Sequence, residues 1–96
     1  MSASAYKWAI KQITGKSSDK SVLLVYAWHA DEKTGLAWPC CKTICEETEL
    51  ERKTVLASIA RLKDAGLLID TGDREGNTGR VSVLKIPFKQ YQKRDN

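Results

Sequence analysis

Residues Val22 to Trp28 read VLLVYAW, an unbroken run of apolar and aromatic side chains. A helix with no polar face offers nothing to water and is stable only when covered on most sides. The rest of the 96-residue chain must therefore wrap this segment, and a chain of that length builds one domain with a modest core. The preceding GKSSDKS is polar linker and cap. Ser18 suits an N-cap, and Asp19 in the first turn suits the positive end of the helix dipole.

The segments on either side supply the cover. Tyr6, Ala9, Ile10 and Ile13 are spaced i, i+3, i+4 and i+7, which predicts a first helix capped by Ser4 and stopped by Gly15. Trp8 falls off that stripe, so it is expected to pack on a neighbouring element or a partner chain. After the central run, DEKTGLA (Asp31 to Ala37) reads as a turn with Gly35 free to take positive φ. Trp38-Pro39 then leads into a short helix from Cys41 to Thr48 with Ile44 and Cys45 inward. Glu49-Leu50 connects tightly to ERKTVLASIARLKDAGLL, a helix with Val55, Ile59 and Leu62 on its core side and Lys53, Ala57, Ala60, Arg61 and Asp64 opposite. Gly66 ends it. Leu67–Thr71 and Arg80–Ile86 read as strands around the turn-rich GDREGNTG, and Pro87 closes the second. The predicted fold is mainly α with a β-hairpin: four helices, then two strands. Residues 1–16 form an N-terminal helix suited to attachment or dimerisation, 17–87 the main domain, and 88–96 a basic tail.

Composition narrows the function. Charged residues make up 29% of the chain and hydrophobic ones 42%, the balance of a folded soluble protein. No apolar run approaches the length of a membrane span, and MSASAYKWAIKQ has no signal-peptide core, so a cytoplasmic protein with reduced thiols is expected. The net charge of +4 is carried by the ends: four lysines against one aspartate in residues 1–20, and six basic against three acidic in 71–96. The middle, 21–70, has six basic and eight acidic residues. A mild basic excess permits a nucleic-acid partner. Cys40, Cys41 and Cys45 form one cluster on one helix turn, without the second paired cluster of a structural zinc site, so no metal or other cofactor is expected. Cys45 reads as a small core residue and His29 as a partner for a helix C-terminus. No nucleophile–base pair or phosphate-binding glycine loop stands out, and no enzymatic activity is predicted.

The segment WPCCKTICEETELERKTV, Trp38 to Val55, resembles the helix-turn-helix signature that usually reads Pro-Ser-x-x-x-Leu-Ala-x-x-x-Gly-x-Ser-x-x-Thr-Val; Pro39, Ile44, Thr54 and Val55 match in kind and spacing. With AYKWA, KSVLL and LKDAGLL, the chain is similar over most of its length to the winged helix-turn-helix domains at the N-terminus of phage replication-initiation proteins and to small prophage helix-turn-helix proteins. The resemblance implies double-stranded DNA as partner, a homodimer through the N-terminal helix, and a replication or regulatory protein as further partner. It implies that Lys42, Thr43, Thr54 and Arg61 touch phosphate, that Arg52 and Lys53 reach base edges, that Ala57 and Ala60 meet a thymine methyl, and that Arg74, Asn77 and Arg80 extend from the wing to the minor groove or backbone. Four positions depart from the pattern: Cys40 and Glu51 replace capping serines, Glu49 the turn glycine, and Ala57 a frequent arginine. Acidic residues beside the DNA face repel phosphate. From Cys40 to Ala65 five basic residues meet five acidic ones. That balance, with Trp8, motivates an alternative: a winged helix used as a protein-interaction module.

Overall fold

The computed structural model describes residues 2–76 and 79–88. Its elements in chain order are α1 (Ala3–Lys11), α2 (Ser17–His29), β1 (Leu36–Ala37), α3 (Cys41–Thr48), α4 (Arg52–Asp64), β2 (Ile69–Glu75) and β3 (Val81–Lys85). The four helices and the trailing hairpin are those expected from the sequence. α2 is the spine, packed against α1, α3, α4 and β1. Val22, Leu23, Val25, Tyr26 and Ala27 are buried, whereas Trp28 remains 45% exposed beside Tyr6, edge to face at 6.0 Å.

α1 differs from its predicted register. Its N-cap is Ser2, fully buried, whose hydroxyl accepts from the Ala5 amide at 3.0 Å and donates to the Glu32 carboxylate at 2.8 Å. The buried face is Ala5, Trp8 and Ala9, while Ile10 is 52% and Ile13 93% exposed. Trp8 is thus a core residue, and the larger aliphatic side chains face water. The small alanines allow α1 close to α2, and the indole fills the remaining space. The helix ends at Lys11, before Gly15, and the Lys20 ammonium reaches across from α2 to satisfy the carbonyls of Ala9, Ile10 and Gln12. α2 itself starts one residue before the predicted cap, with Lys16 at the N-cap position and no side-chain cap.

β1 lies in the segment expected to be turn alone. It pairs with β3, giving a three-stranded antiparallel sheet of order β1-β3-β2. Asp31 forms the turn before it, its carboxylate accepting from the amides of Lys33 and Thr34 at 3.0 and 2.8 Å. At Gly35 the backbone has φ +75°, and a Cβ would lie 2.8 Å from the Ile86 carbonyl oxygen, so only glycine fits. β2 runs on to Glu75, through part of the predicted tip, with a bulge between Asp70 and Arg74. Phe88 is buried with Ile86 in the core, which moves it from the tail to the domain.

Candidate nucleic-acid interface

α3 and α4 meet at a three-residue turn. The Thr48 hydroxyl donates to the Ile44 carbonyl at 2.7 Å and accepts from the Leu50 amide at 3.2 Å, while the Glu49 amide bonds the Cys45 carbonyl at 2.8 Å. Glu49 takes the left-handed conformation, φ 62°, that a glycine would adopt without strain. Ile44 and Val55 are buried at the contact between the two helices and the core. α3 therefore holds α4 by its apolar side and leaves the rest of α4 available.

Residues of an α-helix advance by about 100° each, and α4 divides into four rows on that spacing. Val55, Ser58 and Leu62 are the buried row. Lys53, Ala57, Ala60 and Asp64 point the opposite way, all exposed. Arg52, Leu56, Ile59 and Lys63 form a third row, lining a groove shared with residues of β3. Thr54 and Arg61 form the fourth, in which Arg61 reaches Asp19 of α2. Ile59 is only half buried, because it lies at the edge of the core beside that groove.

The fourth row changes the reading of Arg61. Its Nε and Nη2 donate to the two carboxylate oxygens of Asp19 at 2.9 and 2.8 Å, a bidentate pair in which the Asp19 side chain is 3% exposed. The hydrogen bonds from Arg61 hold the Asp19 carboxyl below its ordinary value against the opposing effect of burial. Arg61 thus clamps α2 to α4: its spacing puts it about 70° from the outward row, facing a carboxylate 42 residues earlier. Asp19 keeps its place in the first turn of α2 and gains this second role.

The remaining predicted residues fall into three groups. Lys53, Ala57 and the first-turn Arg52 share the exposed start of α4, with Thr54 half buried beside them and Ala60 one turn further on. Lys42 is exposed in the first turn of α3, and Thr43 is half buried, its hydroxyl 3.2 Å from the Cys40 thiol. On the wing, Arg80 is exposed; Arg74 donates to the Asp73 carbonyl at 3.1 Å and lies 4.0 Å from the Asp70 carboxylate. Asn77 lies outside the described residues. Lys42, Arg52, Lys53 and Arg80 have no ion-pair partner among the described residues.

Neither helix has a side-chain N-cap: Cys40 and Glu51 occupy those positions without accepting a cap hydrogen bond. The Cys40 thiol is exposed and is lowered by its contact with Thr43, whereas burial raises that of Cys41, 4.0 Å from Cys45. His29, in the last turn of α2, has Nε2 3.0 Å from the Glu47 carboxylate on α3. Among the described residues no three histidine, cysteine or carboxylate side chains are grouped to hold a metal, and no helix is long and apolar enough to cross a membrane. A family model described as a helix-turn-helix domain matches residues 16–68, from the N-cap of α2 to the residue before β2. Curated proteins and solved structures gave no match.

Proposed function

This chain belongs to the helix-turn-helix domain family, with the β2–β3 hairpin as its wing, and on that footing we propose that it binds double-stranded DNA with sequence specificity. The observation that carries the proposal is the outward row of α4. It presents Lys53, Ala57 and Ala60 without a large side chain in its middle, braced by α3 and flanked by the wing. A row of that shape approaches the floor of a major groove about 12 Å wide, with Arg52 and Lys53 directed to base edges and Lys42 and Thr43 to phosphate. Arg74 and Arg80 extend the positive surface along the hairpin.

Fluorescence anisotropy with a DNA duplex across a salt series tests this directly. A log-log slope of about −4 is expected, matching four to five neutralised phosphates. Lys53→Glu with Arg74→Glu should abolish binding while leaving the fold intact, since both side chains are exposed. Unchanged affinity in that double variant would remove the groove-docking arrangement. Absence of binding even at low salt would favour the protein-interaction reading, which keeps the charge balance of residues 40–65 in its support but loses Trp8.

The finer role proposed is replication initiation or transcriptional control on phage or plasmid DNA, by a protein working in the cytoplasm. Two copies joined through α1 would place two recognition helices on one site; the support is the exposed Ile10 and Ile13. Selection from a random duplex pool should then return paired half-sites about 34 Å apart. Single, unpaired sites together with a monomer by light scattering would refute the dimer.

A further inference from the structure

Apart from Arg52, the third row of α4 has no place in the proposed contact with DNA. Leu56 is 46% exposed in the middle of the helix, and Ile59 beside it is half buried. It opens into a groove of about 450 Å³ between α4, the start of α3 and β3, a volume in the range of sites for small molecules. Its apolar surface comes from Leu56, Ile59, Tyr26 and Pro39. Its charged lining is cationic: Arg52 at one end of α4, Lys63 at the other, and Arg80 from the wing. Among the described residues no carboxylate lines it, and Lys63 lies 3.5 Å from the Asp70 carboxylate.

We infer that this groove binds a small amphipathic monoanion, a carboxylate or sulfonate on an apolar body, and that the bound anion competes with DNA. The apolar body covers Leu56 and Ile59, whose side chains otherwise face solvent in part. The anionic head takes the guanidinium of Arg52 or Arg80, both of which offer paired donors suited to a planar carboxylate. Competition follows from Arg52, which opens α4 and belongs to both surfaces. The competition rests on the DNA-binding reading; the anion site does not.

The full chain is titrated with 1-anilinonaphthalene-8-sulfonate, followed by its fluorescence, and the probe is displaced with decanoate. Saturable binding of one probe per chain is expected. Leu56→Glu should weaken it at least tenfold and Arg80→Gln several-fold, each with an unchanged circular dichroism spectrum. Leu24→Glu, which alters the separate groove beside Tyr6 and Trp28, should change it less than twofold. Equal binding in Leu56→Glu and the parent, or an equal loss in Leu24→Glu, would overturn the site. In the DNA assay, saturating decanoate should weaken the parent at least tenfold and leave Leu56→Glu unaffected; an unaffected parent would overturn the competition. A chain that binds the probe but no duplex would refute the DNA reading and keep the anion site. A chain that binds duplex but no probe would do the reverse.

Discussion

The two ends of α4 are built in different ways. At its C-terminal end Arg61 grips the buried Asp19, Leu62 is in the core, and Gly66 takes the left-handed turn, letting the Leu67 and Leu68 amides bond the Leu62 carbonyl at 2.9 and 3.3 Å. At its N-terminal end Glu49 adopts a similar left-handed conformation with a side chain attached, and Glu51 caps nothing. One end has residues suited to every local requirement; the other, which faces the proposed DNA, does not. Stability in α4 is therefore concentrated away from the surface on which recognition is proposed, and the sequence near that surface is free to answer to its ligand.

Four substitutions test this asymmetry. Asp19→Ala should cost the most, about 2 kcal/mol, because it removes charge-assisted bonds between α2 and α4; urea unfolding measures it, and a loss below a few tenths would show the two ends to be alike. The same pair predicts a pH dependence. Arg61 depresses the Asp19 carboxyl, so its contribution is complete above the unfolded value near 4 and is lost as pH falls through the lower folded value. Arg61→Gln should therefore move the acid midpoint of unfolding to higher pH, read by circular dichroism; an unmoved midpoint would detach the clamp from acid stability. At the other end Glu49→Gly should raise stability by about 1 kcal/mol by relieving the left-handed strain, a gain visible as a higher denaturant midpoint. Glu51→Ser should add roughly 0.5 kcal/mol as a cap and also tighten duplex binding at low salt, since it removes a negative charge from the start of α4. Tighter binding without added stability would separate the electrostatic effect from the cap.

How much of this was legible in the sequence depended on how local its cause was. The bounds of α3, the Glu49-Leu50 connection and the glycine stop of α4 were readable because each depends on neighbours a few residues away. α1 was misread because two periodic stripes compete within it. The aliphatic one looked stronger, but alanines and a tryptophan fit the close approach to α2, and the Ser2 cap needs Glu32 from another loop. β1 is two residues long and exists only through β3, nearly fifty residues later, so no local pattern announced it. Of the candidate site, the outward row of α4 was legible, whereas the clamp and the groove were not. The spacing of Arg52, Leu56, Ile59 and Lys63 was there to be counted, yet only the position of the wing makes that row the wall of a cavity.

Asp19 and Lys20 are consecutive residues with opposite charges that reach in different directions. The first holds the last turns of α4, and the second holds the end of α1. Three helix ends thus meet at one knot, tied by two adjoining side chains on the opening turns of α2. One peptide unit therefore separates the contact that closes α1, the helix next to the exposed Ile10 and Ile13, from the contact that fastens α4, the helix proposed to read DNA.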